Sequence, residues 1–445
     1  MLDKADIQGN LLRGYGFRRV AHLFFAIEQP AQARALLRRL EVTSALRWPE
    51  GKRPSCAFNV AFSSRGLTRL AQARGGFDQA QLATLRERYP AFAEGMQARA
   101  KQLGDDQECE RVHPDWGRAD IWVSVSADEE ADLLSRVQPL TRAAGVALLF
   151  GGPLYGSALE RGTMRIEHFG FRDDVSNPAV EGAAEPDERP RYNLGNGKVV
   201  DGVAQPLAAG EFVLGYPNES GDPVGDDTLL DFVRNGTFAV FRDLRQNVGA
   251  FRSYVEKTAA SLRRDPAQVA ALIIGRQQSG EPLIEPARGD DTLNDFGYRD
   301  DRDGARCPFA SHVRRTHPRD ASGIAEVSHR LLRRGMPYGP LLAEGAQEDG
   351  VPRGLYFVVY NASIERQFEF VQQRWVNAPT GTGLADDFDP LLCRRSASMV
   401  IPGAGEGGLP RVIEGLRGFV EFLGGGYFFV PGLSALRTLA AEIES

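Results

Sequence analysis

IWVSVS, residues 121–126, alternates large apolar with small polar side chains, the period-two pattern of a strand half buried against a core. Just after it, Leu133, Leu134 and Val137 recur at helical spacing, and VALLF at 146–150 returns to an apolar run. Toward the N-terminus, CAFNVAFS at 56–63 and AHLFFAI at 21–27 read as two further strands, with Leu36, Leu37 and Leu40 marking a helix between them. From about residue 20 the pattern is apolar run, helix, apolar run, helix, apolar run, helix, apolar run, which reads as a split βαβ, ferredoxin-like unit.

The same kind of unit recurs downstream. Residues 182–235 are rich in Gly, Pro and Asp and read as a long connection carrying one short strand, EFVLGY at 211–216. TFAVFR at 237–242 is a strand, and Val248, Phe251 and Val255 mark the helix face that follows. LYFVVY at 355–360 is apolar on both faces and predicts a strand covered on both sides. Ser363 is placed to cap a helix whose stripe is Ile364, Phe368, Val371 and Trp375, and YFFV at 427–430 and a helix from 433 close the unit. The expected fold class is α+β: duplicated ferredoxin-like domains with antiparallel sheets, comparable to a dimeric α+β barrel. The boundaries are 1–181 for the first domain, 182–235 for the connection and 236–445 for the second domain. A length of 445 residues, beyond what one core usually organises, agrees with two units.

Composition narrows the function classes. Hydrophobic residues at 42% and charged residues at 25% are ordinary for a globular chain, and a net charge of −6 offers no footprint for nucleic acid or anionic lipid. No stretch reaches membrane-spanning length, and the polar start MLDKADIQGN lacks the apolar stretch of a signal peptide, so the expectation is a cytoplasmic protein with no nucleic-acid or membrane partner. Cys56, Cys109, Cys307 and Cys393 are scattered and form no CxxC pair, which fits a reducing compartment rather than a disulfide framework or a cysteine zinc site.

Residues 258–354 form a long loop-rich excursion inside the second unit, and such loops usually carry function. Within it, RCPFASHVRRTHPR at 306–319 sets His312 and His317 among arginines, a combination suited to an imidazole ligand for haem iron and to guanidinium partners for its propionates. A solvated basic face explains any single one of those arginines equally well. HFGFRDDVSNPAVEG at 168–182 holds Asp173 and Asp174 in a turn-rich segment, which alone reads as loop carboxylates bonding to nearby backbone. HRLLRRGMPYGP at 329–340 holds Arg333 and Arg334, alone no more than helix-end arginines.

Other motifs lead nowhere. GAGEGG at 403–408 lacks strand-turn-helix context for a dinucleotide, and DDRDGAR at 300–306 lacks the first and last ligands of a calcium loop. A zinc site built from Cys307, His312 and His317 is the competing metal reading.

Taken together, DIQGNLLRGYG at 6–16, FGFRDDVSNP at 169–178, GEFVLGYPNESG at 210–221, RNGTFAVFRDLRQNVGAF at 234–251, RCPFASHVRRTHPR, RRGMPYGP and the segment from Arg353 to Trp375 resemble the dye-decolourising peroxidases, most closely the longer fungal-type subgroup. The resemblance implies haem b (iron protoporphyrin IX) in the second domain, His312 as its proximal metal ligand, and Asp173 with Arg333 as the distal catalytic pair. Arg315, Arg319, Leu355, Phe357 and Asp389 are the further cofactor-binding candidates, Asp389 as the carboxylate bonded to the proximal imidazole. The implied activity reduces hydrogen peroxide and oxidises dyes, phenolics or other small organic reductants through a ferryl haem; the alternative is a non-catalytic haem carrier or sensor of the same fold. Tyr338 and Trp375 are candidate relays to bulky dyes, and a core role explains Trp375 as well. The chain departs from the family's GxxDG motif at one point, where Asp174 replaces the final glycine. Aspartate tolerates left-handed backbone better than most residues, so the turn is expected to survive. A carboxylate acid–base further predicts an acidic optimum for dye oxidation.

Overall fold

The computed structural model describes all residues except 72–76, 106–111, 189, 222–230, 285–292, 322–325, 381–383 and 442–445; Cys109 therefore lies outside the described residues. The first unit runs β1 (Arg19–Ile27), α1 (Pro30–Arg39), β2 (Cys56–Phe62), β3 (Ile121–Ala127), α2 (Glu130–Leu140), β4 (Val146–Leu148), with β5 (Leu154–Ser157) added on β1. The second runs β6 (Thr237–Gln246), α3 (Val248–Leu262), α4 (Pro266–Ile274), α5 (His312–Thr316), β7 (Leu332–Arg333), β8 (Met336–Tyr338), β9 (Gly354–Asn361), β10 (Val420–Val430) and α6 (Leu433–Ala440). In sheet order they are β7-β9-β6-β10 and β2-β3-β1-β4, antiparallel at each pairing, so each half has the ferredoxin-like strand order. The halves join through a single register pair, Phe429 of β10 against Phe62 of β2, into one continuous sheet.

Strand alternation sorts side chains between two cores. On β1, Leu23 and Phe25 enter a cluster shared with Phe62, Phe238 and Phe429, while Phe24 points the other way, toward Trp122, Phe241 and Tyr356. Both clusters draw on both halves, so apolar burial as well as the strand junction ties the units together. A third cluster lies in the second unit, where Val248, Phe251 and Val255 of α3 meet Val269 and Ile273 of α4.

Two expectations are corrected. EFVLGY at 211–216 is not a strand: a 3-10 turn, Ala209–Glu211, leads into a bend, with Phe212, Val213 and Leu214 fully buried and Gly215 at φ 85°. A short apolar run records burial, not extension. The segment after Ser363 is wound as π-helix over Glu365–Glu369 and Val371–Val376, with Glu369 N–H donating to Ile364 O at 2.9 Å. Ser363 does cap it, its hydroxyl accepting from Arg366 N–H at 3.2 Å. Among the described residues no helix is long and apolar enough to cross a membrane.

Candidate active site

α4 and α5 together place His312. Asp265 caps α4, accepting from Ala267 N–H at 2.7 Å, Pro266 occupies the first helical position, and Gly275 stops the helix at φ 98°. A side chain at 275 would also crowd Val313 and Ser311, whose β-carbons lie 3.2 and 3.3 Å from where its own would be. This close approach lets the Ser311 hydroxyl donate to Leu272 O at 2.5 Å, fixing the residue before His312.

The arginines that follow clamp the short helix from two sides. The Arg314 guanidinium donates to Asp301 Oδ2 at 2.7 Å and to Cys307 O at 2.5 Å and lies over the Tyr298 ring. Arg315 donates to the backbone carbonyls of Trp375, Asp387 and Ala378. His312 is thereby held with Nδ1 at 2.8 Å from Asp389 Oδ2, while Asp389 Oδ1 accepts from Leu391 and Leu392 N–H at 3.0 and 2.8 Å. Burial pushes the Asp389 carboxyl up, but His312, the Leu392 amide and Arg315 outweigh it and hold the group below the usual carboxylate range. An ionised Asp389 fixes the proton of the imidazole on Nδ1 and leaves Nε2, which has no hydrogen-bond partner among the described residues, free to ligate.

His312 lines a cavity of about 480 Å³, within the range of cofactor sites. Asp173 and Arg333 line the same cavity. Its apolar floor is the face of β6 and β9 carrying Leu244, Leu355 and Phe357, with Leu244 and Leu355 paired in register. Tyr356 faces the second core from the opposite side of β9, so the strand is covered on both faces.

The carboxylate comes from a turn built around Glu167, which accepts from the amides of Phe169 and Phe171 at 2.9 Å each and from Gln246 Nε2 at 2.7 Å. Gly170 sits within it at φ 94°. Asp173 N–H donates to Arg165 O at 3.0 Å, and Asp173 Oδ1 accepts from Asp174 N–H at 2.7 Å. The carboxyl is open onto the cavity but walled by protein; this seclusion, aided by the neighbouring Asp174 charge, raises its pKa, against the pull of the Asp174 amide, Arg333 and Arg165. Asp174 adopts the left-handed conformation, φ 60°, in place of glycine. Arg333 on β7 donates its guanidinium to Ser176 O and its backbone N–H to Asn177 Oδ1 at 3.0 Å. Burial lowers the Arg333 pKa, opposed by Asp173 and Asp174, and the group stays a cation at neutral pH.

Two cofactor-binding expectations are corrected. Arg315 and Arg319 do not line the cavity: Arg315 spends its donors on the three carbonyls above, and Arg319 on Asn294 O, Phe296 O and Asn294 Oδ1. Sequence reasoning missed Arg330 and chose His312 over His317, yet both Arg330 and His317 line it. Arg330 is buried beside Glu326, and its Nη1 has no acceptor among the described residues. Burial brings the Arg330 pKa down to about 10, still a cation at neutral pH. Burial among Arg330, Arg319 and Arg333 holds His317 neutral, 2.8 Å from Glu326. An iron porphyrin fits these residues: a free imidazole nitrogen, an apolar floor, and a buried guanidinium donor that a propionate would satisfy.

Tyr338 stacks on Tyr356, ring centroids 4.5 Å apart, and Trp375 sits half-buried against Phe370 and His329. The zinc reading loses its ligand set, since no three potential ligands gather among the described residues and burial pushes the Cys307 thiol up to about 11.

Known proteins resemble this chain in sequence and fold. The family model of the Dyp-type peroxidase C-terminal region matches residues 206–389. The chain is 29% identical over 489 residues to a dye-decolorizing peroxidase of Mycetinis scorodonius, covering 98% of this chain and 88% of that protein. It is 29% identical over 471 residues to a multifunctional dye peroxidase of Amycolatopsis sp., covering 99% and 96% respectively. The crystal structure of a fungal DyP-type peroxidase from Auricularia auricula-judae is similar at TM-score 0.81 and 25% identity over 99% of this chain and 100% of that one.

Proposed function

We propose that this chain, a member of the dye-decolourising peroxidase family of the fungal type, holds haem b through His312 and reduces hydrogen peroxide with Asp173 and Arg333. It is a haem peroxidase oxidising dyes and phenolics. The observation that carries the residue assignment is that His312, Asp173 and Arg333, from three separate segments, line one cavity. Haem b is the favoured form because the chain has no CxxCH motif for covalent attachment of the porphyrin. When bound, the iron supplies a redox centre that accepts oxidising equivalents from peroxide and passes them to organic reductants.

The chain's own residues manage the proton. Asp173, ionised, takes the proton from one peroxide oxygen and returns it to the other, which departs as water. Arg333 is a fixed cation beside that exchange; it stabilises negative charge developing on the departing oxygen and favours the ionised form of Asp173. Asp389 holds His312 in one tautomer and raises its basicity as a ligand. Arg330 and His317 are the groups we assign to the cofactor's propionate edge. The free, buried thiols of Cys56, Cys307 and Cys393 support a cytoplasmic, reducing location.

Two measurements test this reading. Haem-loaded protein is expected to decolourise an anthraquinone dye with hydrogen peroxide at steady state, where a carrier or sensor would not. His312→Ala is expected to lose the absorption spectrum of histidine-ligated ferric haem; a variant keeping that spectrum would exclude His312 as the ligand.

A further inference from the structure

Asp173 and Arg333 have to act on one peroxide molecule, yet no ion pair joins them: Asp173 Oδ1 accepts from Asp174 N–H and the Arg333 guanidinium donates to Ser176 O, both backbone groups. They also come from different layers of the chain, a turn after the first unit and a strand in the second, 160 residues apart in numbering. Something else has to keep them in register.

We propose that Asp174 is a positioning residue, which with Asn177 latches the turn carrying Asp173 onto the strand carrying Arg333; the inference rests on the peroxidase reading above. Asp174 Oδ1 accepts from Asn177 Nδ2 at 3.0 Å. Asn177 Oδ1 in turn accepts from the backbone N–H of Arg333 at 3.0 Å. The two ends of this one amide face a carboxylate and an N–H donor, so a single orientation of Asn177 satisfies both. The Arg333 guanidinium meets the same turn at Ser176 O, so the strand is tied to the turn at its backbone and at its side chain.

Asp174 is where this chain departs from the family's glycine. A glycine would occupy φ 60° without strain, whereas aspartate there carries a conformational cost. What aspartate adds is the carboxylate that anchors Asn177.

The test compares the haem-loaded parent with Asp174→Gly, Asn177→Ala, the double variant and Asp174→Asn. One readout is the second-order rate constant of the absorbance change on mixing with hydrogen peroxide. The other, taken without peroxide, is hydrogen–deuterium exchange in peptides covering residues 331–336, which contain the Arg333 amide. Asp174→Gly and Asn177→Ala are each expected to slow the peroxide step about fivefold, the scale of one hydrogen bond, and to speed exchange. The double variant is expected to be no slower than Asn177→Ala, because both substitutions open the same latch. Asp174→Asn, whose amide oxygen still accepts from Asn177, is expected to restore both readouts toward the parent. Additive effects in the double variant, an Asp174→Asn that behaves like Asp174→Gly, or exchange unchanged by Asp174→Gly would each overturn the latch. Asp173→Asn, run alongside, judges the acid–base role separately: an undiminished peroxide rate in it sinks that role, while the exchange data still decide the latch.

Discussion

At Asp173 two influences raise the pKa and three lower it. Seclusion in the cavity wall is the largest and acts upward, joined by Asp174; the Asp174 amide, Arg333 and Arg165 act downward, and the net shift is upward from the usual carboxylate value of about 3.9. A base works only when ionised, so the peroxide rate constant should rise with pH through this raised pKa and level off above it. Its acid limb is therefore expected above about pH 4, measured by rapid mixing at a series of pH values; a rise continuing to about pH 8 would point to an imidazole-like base instead. That His312, Asp173 and Arg333 belong together was legible because each sits in an ordered motif in which its residue type has a definite chemistry, and the three line one cavity. The left-handed backbone of Asp174 was legible too, since aspartate is one of few residues that accept it. The arginines were not. Sequence shows a guanidinium's charge but not the direction of its long side chain, and Arg315 and Arg319 turn to backbone carbonyls while Arg330 keeps a donor free at the cavity.

At the scale of elements, α5 is only five residues long and cannot hold His312 by its own helical stability. Its position depends on neighbouring loops, and Arg315 is the clamp to the segment that also carries Asp389. Arg315→Ala leaves three carbonyls, one buried and two partly buried, without that donor and should destabilise the haem-free fold by about 3 kcal/mol, read by denaturant unfolding. Arg330→Ala should instead speed haem release to a scavenger, with a smaller effect on unfolding. If Arg315→Ala unfolded like the parent and only haem release changed, the division of labour between these two arginines would be reversed. The strands were legible from their alternation, and β9 most plainly, with Leu355 and Phe357 on the cavity face and Tyr356 on the core face. EFVLGY misled because burial in a bend and burial in a strand select the same apolar residues. The stripe from Ile364 to Trp375 marked a helix but not its π winding, since side-chain spacing does not record which carbonyl each backbone N–H meets; within it Gln367 Nε2 donates to both Glu211 O and Arg330 O at 2.9 Å.

At the scale of the whole molecule, the two repeated units share a continuous sheet and two apolar clusters. Each unit could be read from its order of strands and helices. Their junction could not, because the edge strands β2 and β10 meet at one register pair, too short a contact to leave a pattern in either strand. The site follows from the assembly: the turn after the first unit supplies Asp173, and the second supplies Arg333 and His312, all on one cavity. The most direct test of that convergence is a stopped-flow absorbance record of the haem-loaded protein mixed with one equivalent of hydrogen peroxide, taken for the parent and for Asp173→Asn. A rapid change of the haem spectrum is expected in the parent, slowed about a hundredfold or more in Asp173→Asn with the resting spectrum intact. Equal rates in the two proteins would contradict the account.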